Sequence, residues 1–286
     1  MSAVVTIAQL TLTEAVRRRV IWVLIGLTIL SVTLTTWGVD RLVSLARANG
    51  SSEVEIWLGV SQVLILVAFM FSFVLAMTAA FLGAPAIAGD LESGVAATMI
   101  ARPVRRAELV VGRWLGLVVV VVAYAVGSGL LEIAATHVVS GYAPPDPLTA
   151  VAFLGAQSVV LLTLALALST RVPATAAGAI CVVLFGLGWM AGVFAGIGRM
   201  FDAAPLVAAA EASRWLLPTD GLWRGTIHAL EPPIAVLIAA GRGGPIADAN
   251  PFFVSTAPTT VFVAWAAAWV AIVVAVAVVS LGRRDL

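Results

Sequence analysis

Long apolar stretches alternate with short polar connections along the whole chain, and this pattern predicts six membrane-spanning helices. Each stretch is close to or longer than the roughly 20 residues that a bilayer requires. The predicted spans are residues 20–39, 56–82, 114–136, 148–168, 174–198 and 259–281. The first stretch follows three arginines at 17–19, but it is too long for a signal peptide and no small-x-small cleavage site follows it. It is therefore interpreted as a retained span.

Residues 1–19, ahead of the first span, have the pattern of an amphipathic helix. Val5, Ala8, Leu12 and Ala15 recur at helical spacing on one face, and Glu14 and Arg18 are spaced to pair at i,i+4 on another. This pattern predicts a surface helix that lies on the inner side of the membrane and leads into span one.

The connection 199–258 contains apolar pieces that prolines interrupt, and none of them is long enough to cross a bilayer. Such pieces are typical of re-entrant or interfacial helices. Trp215 and Trp223 are expected at the depth of the lipid headgroups. The sequence GRGG at 241–244 is interpreted as a flexible turn, because no helix signal follows it.

The strongly polar connection 83–113 lies between spans two and three, and its segment 90–113 holds three acids and four arginines. Asp90 and Glu92 are predicted to begin a short helix over residues 90–101, with Ser93 as its N-cap. Pro103 disfavours helix at the residue before it and should end this helix. The residues predicted to give the helix an apolar edge are Leu91, Val95 and Met99. The arginines either anchor the topology at lipid headgroups or dock a partner.

Composition supports an all-α integral membrane protein. The chain is 62% hydrophobic and 11% charged, with a mean hydropathy of +1.09, whereas soluble domains are about 25% charged. The net charge of +1 gives no indication of nucleic-acid binding. All 16 basic residues are arginine, so the chain lacks the lysine of a Walker A loop. The single Cys181 excludes a disulfide within one chain and is expected to be a small core residue.

The distribution of arginines predicts the orientation of the chain. With the N-terminus in the cytoplasm, the inner segments hold ten arginines and the short outer loops hold only Arg41 and Arg47. The positive-inside rule then puts both termini in the cytoplasm.

Glu132 lies within span three, where a carboxylate is costly unless it is paired or hydrated. We expect the Glu132 carboxylate to lie at the outer rim of the span, where it meets water or pairs with an arginine of an outer loop. A proton-linked or substrate-contacting role is the alternative. A metal site with His137 and His228 is disfavoured, because two histidines without ligand spacing are a weak signal. No nucleophile and base stand at a recognisable spacing, so no catalytic residue is predicted.

The polar connection resembles the first cytoplasmic loop of ABC-2 type exporter permeases. The matching positions are Glu92, Gly94, Pro103, Arg105 or Arg106, and Gly112-Arg113. The chain departs from the family at Val95, where threonine is common, and at Arg113, where lysine is common. The opening from Glu14 to Arg19 and the sequence Leu217-Pro218-Thr219-Asp220 resemble the branch that includes maturation permeases for multicopper enzymes such as nitrous oxide reductase.

This resemblance implies a single permease domain over residues 1–286, in the inner membrane of a prokaryote, whose coupling helix docks into a separate ATPase. The residues implied to dock are Asp90, Leu91, Glu92, Ser93, Gly94, Val95, Met99, Arg102, Arg105 and Arg106. Two ATPase subunits would bind ATP and Mg²⁺, since this chain binds no cofactor of its own, and the N-terminal helix would brace the contact. No internal repeat is visible, so a second permease chain, expected to be identical, would complete the pair.

In relatives, spans two and five line the transport path. The residues implied to line it here are Met70, Phe73, Met77, Glu132, Trp189 and Met190. Gly188, Gly192 and Gly196 form a small-xxx-small row that permits close approach of either another span or the second permease.

Two other functions fit parts of the sequence. A secondary transporter would use Glu132 for protons, and a non-transporting scaffold would anchor a maturation factor. Neither explains the polar connection as well as the ATP-driven exporter does.

Overall fold

The computed structural model describes residues 2–17, 19–92, 105–241 and 250–284, which fold into eleven α-helices with no strand. The helices are α1 Ala3–Arg17, α2 Arg19–Ala48, α3 Glu53–Gly83, α4 Pro85–Glu92, α5 Arg106–Ser140, α6 Pro147–Ser169, α7 Ala174–Met200, α8 Ala204–Leu216, α9 Thr219–Leu230, α10 Pro233–Gly241 and α11 Thr260–Gly282. The chain is therefore an all-α integral membrane protein, as predicted.

Six of these helices, α2, α3, α5, α6, α7 and α11, are long and apolar enough to cross a membrane, which confirms the six predicted spans. Two of them extend well beyond the predicted limits, because α2 continues to Ala48 and α5 begins at Arg106. The extension of α2 is stabilised by packing, since Val39 and Val43 are buried in the same cluster as residues of α3. Hydropathy does not detect such extensions.

Helices α3, α5 and α6 form the centre of the bundle. Half or more of their most apolar segments is buried, whereas only 17% is buried in α2 and α11 and 28% in α7. The outer surface of α2 is strongly apolar, with Trp22 72% and Trp37 63% exposed. These outward faces of α2, α7 and α11 are suited to lipid or to another apolar surface.

Polar caps mark the starts of three spans. Ser52 and Glu55 form a capping box at α3, Asp146 caps α6 ahead of Pro147, and Thr259 accepts a hydrogen bond from the Phe262 N–H at α11. These starts lie at one end of the bundle, which we call the distal face. The termini lie at the opposite end, called here the terminal face.

The connection between α7 and α11 contains the three short helices α8, α9 and α10, close to the apolar pieces that the sequence predicts. Helix α9 has only 12 residues, yet most of its residues are buried against α3, α6 and α7. Trp223 of α9 is 2% exposed and lies 5.6 Å from the ring of Phe69. Trp223 therefore contacts the interior of the bundle and not lipid, whereas Trp215 is 44% exposed.

Candidate functional site

The terminal face is the candidate functional site, because the polar connection that the sequence singles out begins and ends there. Helix α4 leads into this connection and α5 leads out of it. Residues 93–104, the centre of the connection, lie outside the described residues. The geometry of their two flanks is described below.

Arg113 joins three helices at the base of this connection. Its Nη1 donates to Glu14 Oε2 of α1 at 2.8 Å, and its Nη2 donates to Asp90 Oδ2 of α4 at 2.6 Å. The Arg113 side chain is 10% exposed and that of Asp90 18%, so this charge-assisted bond is formed largely out of water, whereas Glu14 is half exposed. Arg113 therefore ties both flanks of the connection to the N-terminal helix.

Helix α1 lies directly against α5 because two glycines of α5 leave room for it. A Cβ atom at Gly112 would lie 2.7 Å from Ile7 Cβ, and one at Gly116 would lie 2.6 Å from the Ala8 carbonyl oxygen. Thr11 and Ala15 are buried on the same side of α1. Two side chains on the predicted apolar face, Ala15 and Leu12, pack into the core cluster there, whereas Val5 is 44% exposed. Arg18, the predicted partner of Glu14, lies outside the described residues.

Arg106, at the start of α5, binds the end of α11. Its Nη1 donates to the carbonyl oxygens of Leu281 at 2.9 Å, Gly282 at 3.1 Å and Arg284 at 2.7 Å. Carbonyls at a helix C-terminus lack partners within the helix and carry partial negative charge. Arg106 thus holds the last span to the connection.

The link between α6 and α7 is joined to α11 in the same way. Arg171 donates to the Ser280 hydroxyl at 2.7 Å and to its carbonyl at 3.0 Å, and Thr170 and Ser280 hydroxyls lie 2.8 Å apart. Arg284 Nη1 donates back to the Thr170 carbonyl at 2.8 Å. The terminal ends of α5, α6 and α11 are therefore crosslinked by side-chain hydrogen bonds.

The structure corrects the predicted position of two acids. Asp90, Leu91 and Glu92 lie within α4, which begins at Pro85, and do not begin a helix. Each carboxylate here has a partner. Asp90 pairs with Arg113, and Glu92 Oε1 accepts a hydrogen bond at 3.3 Å from the Ala174 N–H in the first turn of α7.

The other predicted docking residues are placed as follows. Arg105 is exposed immediately before α5, where its backbone N–H donates to Glu108 at 2.9 Å. Arg106 is engaged with the end of α11 as described. Ser93, Gly94, Val95, Met99 and Arg102 lie outside the described residues.

The predicted path residues differ in exposure. Met70, Phe73 and Met190 are 57%, 47% and 38% exposed on α3 and α7, and Phe73 lies 6.2 Å from the ring of Phe185. Met77 is half-buried. Trp189 is also half-buried, and its ring lies 5.1 Å from that of Phe69.

Glu132 is separate from those residues and is buried at 3% exposure. It lines a small internal cavity between α3, α5 and α6, together with Ser128 and Ala68. Neither of its carboxylate oxygens has a hydrogen-bond partner among the described residues, and the Thr35 hydroxyl is the polar group that faces it. The expectation of an outer-rim carboxylate is wrong, because neighbouring helices cover Glu132.

The glycine row of α7 receives helix α9. A Cβ atom at Gly192 would lie 2.7 Å from Asp220 Cγ, and one at Gly188 would lie 3.2 Å from Thr219 Oγ1. The sequence left open whether this row packs on a span or on a second chain. The structure assigns Gly188 and Gly192 to a contact with the short helix α9.

Other polar residues singled out in the sequence have structural partners. The His137 ring nitrogen Nδ1 lies 3.1 Å from the Tyr142 carbonyl oxygen, and Cys181 is fully buried, as predicted. The contact of Arg113 with Glu14 was not predicted from the sequence. Both residues belong to the motifs quoted for the resemblance, but they are 99 positions apart and no local pattern joins them.

Comparison with known proteins gives a family for the chain. Residues 5–286 match the sequence model of the family described as ABC-2 family transporter protein. No curated protein matches the chain.

Proposed function

The chain belongs to the ABC-2 transporter family and is a membrane component of a transporter, and we propose that it couples ATP hydrolysis by a separate subunit to export. On this proposal the terminal face is cytoplasmic and residues 90–106 dock the ATPase. ATP and Mg²⁺ bind to the partner, since a chain without lysine has no Walker A loop.

The observation that carries this proposal is the set of charged contacts around the docking segment. Arg113 holds its two flanks to α1, Arg106 holds α5 to α11, and Glu92 holds α4 to α7. A displacement of the segment by a partner would therefore act on α4 and α5, which flank it, and would be transmitted through them to α1, α7 and α11. Such a network suits a coupling surface better than a set of arginines that only anchors the topology.

The complete transporter would contain two ATPase subunits and two identical permease chains. Helices α3 and α7 would line the path between the two permeases with the exposed Met70, Phe73 and Met190 and the half-buried Met77. Flexible methionine and aromatic side chains suit amphipathic or apolar cargo. The half-buried Trp189, which packs on Phe69, would lie at the edge of this surface.

Co-purification with a partner ATPase, chosen as one whose gene neighbours the gene of this chain, tests the docking assignment. Arg105→Glu reverses an exposed charge at the segment, and Val95→Asp puts a charge on its predicted apolar edge. Arg41→Glu, an exposed arginine at the distal face, is the matched control. We expect the first two changes to reduce recovery of the ATPase at least tenfold and the control to leave it unchanged. Full recovery with both docking variants would refute the assignment.

A second function, transport coupled to protons, is favoured by one observation, the burial of Glu132 within a span, where no charged group pairs with it among the described residues. A buried carboxyl group inside a membrane protein is a functional candidate. Glu132→Gln keeps the shape of the side chain and removes its proton exchange. Unchanged transport and unchanged pH dependence in this variant would exclude the proton-coupled function.

A further inference from the structure

A cluster of charged residues at the distal face has no role in the proposed ATPase contact. It brings together the end of α7, the second half of α8 and the first half of α9. The cluster contains three arginines and two acids: Arg199, Glu211, Arg214, Asp220 and Arg224. It therefore has an excess of one positive charge.

Arg214 is the centre of the cluster. Its Nε donates to Asp220 Oδ2 at 2.6 Å and its Nη1 donates to Glu211 Oε1 at 2.7 Å. Glu211 also lies 3.6 Å from Arg199 Nη2. The Arg214 side chain is 11% exposed and that of Asp220 is 5% exposed. These two acids are therefore already engaged by Arg214 and Arg199.

The donors that remain point to an anion. Arg214 Nη2 is buried and has no hydrogen-bond partner among the described residues. Arg224 lies one turn after Asp220 on α9 and is half-buried. Among the described residues it makes no hydrogen bond or ion pair. Burial first, and then the nearby Arg214, lower the pKa of the Arg224 guanidinium. An oxyanion between the two guanidinium groups would supply acceptors and offset the excess charge.

The outward surface beside the cluster indicates where the anion comes from. Trp215 follows Arg214 directly and is 44% exposed, and the Trp265 indole donates to its carbonyl at 2.9 Å. The Trp269 indole donates to the carbonyl of Leu216, which is 76% exposed. In a membrane these exposed apolar side chains face lipid, whose phosphate groups are the abundant anions beside the distal face.

We propose that Arg214 and Arg224 form a phosphate-binding site that holds the headgroup of a phospholipid in the distal leaflet. The site would fix α8 and α9 to the membrane surface and would complete the ion pairing of the cluster. This inference does not depend on the ATPase contact, since it concerns the opposite face of the molecule.

Lipid titration of the purified full-length chain tests the site. Micelles of dodecylmaltoside are supplemented with dioleoylphosphatidylglycerol or with dioleoylglycerol, which has the same chains without the phosphate. The affinity is measured for the wild type, Arg224→Gln, Arg224→Lys and Arg47→Gln. Arg47 is an exposed distal-face arginine paired with Glu53 and serves as the control.

We expect phosphatidylglycerol to bind the wild type at least tenfold more tightly than dioleoylglycerol. Arg224→Gln should abolish this preference, Arg224→Lys should retain part of it and Arg47→Gln should leave it unchanged. Removing Arg224 also relieves its repulsion of Arg214, so the lipid-free variant should be at least as thermostable as the wild type.

Sodium phosphate added at millimolar concentration distinguishes the sources of the anion. Displacement of the lipid supports a site that also accepts soluble phosphate, and no displacement supports the headgroup alone. Equal binding of the two lipids by the wild type, or equal phosphatidylglycerol binding by Arg224→Gln and the wild type, would overturn the proposal.

Discussion

Arg113 Nη2 lies 2.6 Å from Asp90 Oδ2, so the residues that flank the polar connection on either side are bound directly to each other. The same guanidinium holds Glu14 of the N-terminal helix with its other terminal nitrogen. One largely buried side chain thus links α1, α4 and α5.

We predict that Arg113→Lys destabilises the protein although it keeps the charge. A lysine ammonium is a point charge and lacks the planar fork that reaches two carboxylates at once. Breaking a buried ion pair costs about 3–5 kcal/mol, and retention of one of the two contacts should reduce this to about 2 kcal/mol. The apparent Tm in detergent measures the effect. A Tm equal to that of the wild type would show that the double contact is dispensable.

We predict that Gly116→Val displaces α1 from α5, because even a Cβ atom there would lie 2.6 Å from the Ala8 carbonyl. The backbone of α1 cannot move aside as a flexible side chain can, so overpacking should lower the free energy of unfolding by about 1–3 kcal/mol or more. Faster limited proteolysis of α1 reports the displacement. Gly127→Val is the control on the same helix, since a Cβ atom at Gly127 has no neighbour within 4 Å. Equal proteolysis of the two variants would contradict the contact.

We predict that Gly192→Ala lowers the apparent Tm, because its Cβ would lie 2.7 Å from the Asp220 carboxyl carbon. Asp220 is held by Arg214 on its other side and has little room to move. Gly186→Ala on the same helix is the control, because its Cβ would meet nothing within 4 Å. Alanine favours helix over glycine by up to about 1 kcal/mol, so this control should be neutral or stabilising. The prediction fails if Gly192→Ala is equally neutral.

We predict that Glu231 makes stability dependent on pH. Burial raises the pKa of Glu231 from its ordinary 4.5 to about 7, despite a hydrogen bond from the Val254 N–H at 3.3 Å. Since the folded-state pKa is the higher one, protonated Glu231 stabilises the fold fully below about pH 4.5. This contribution, on the order of 3 kcal/mol, is lost as the pH rises to about 7.

The comparison of Glu231→Gln with the wild type isolates this effect. We expect the apparent Tm of the wild type to fall more steeply between pH 5 and pH 8 than that of the variant, which stays neutral. Parallel profiles would show that Glu231 does not titrate in this range.

The predictions from sequence succeeded where one property of a local segment decides the structure. Runs of about 20 apolar residues can satisfy their backbone in a bilayer only as helices, so the six spans followed directly. The ends of the spans could not be predicted in this way, because the packing of Val43 on α3 extends α2 beyond its apolar run. The N-terminal helix was recognisable from its periodicity.

Burial of single polar or aromatic side chains could not be predicted in the same way. Position along a span predicted that Glu132 meets water or an outer arginine, and a proline-rich setting gave no sign that Trp223 is buried. Glu132 is instead covered by α3 and α6, and Trp223 packs against Phe69 of α3. The position of Asp90 and Glu92 within α4 was not predicted for a related reason, since their partners, Arg113 and Ala174, are distant in sequence.

The central claim is that the terminal face couples ATP hydrolysis by a partner ATPase to movement of the membrane helices. The most direct measurement is the ATP hydrolysis rate of the partner ATPase with the chain in lipid nanodiscs, for wild type, Arg113→Gln and Arg41→Gln. We predict that Arg113→Gln still co-purifies with the ATPase but changes its rate at least fivefold relative to the wild-type complex, while Arg41→Gln does not. A rate for Arg113→Gln equal to that of the wild-type complex would contradict the account.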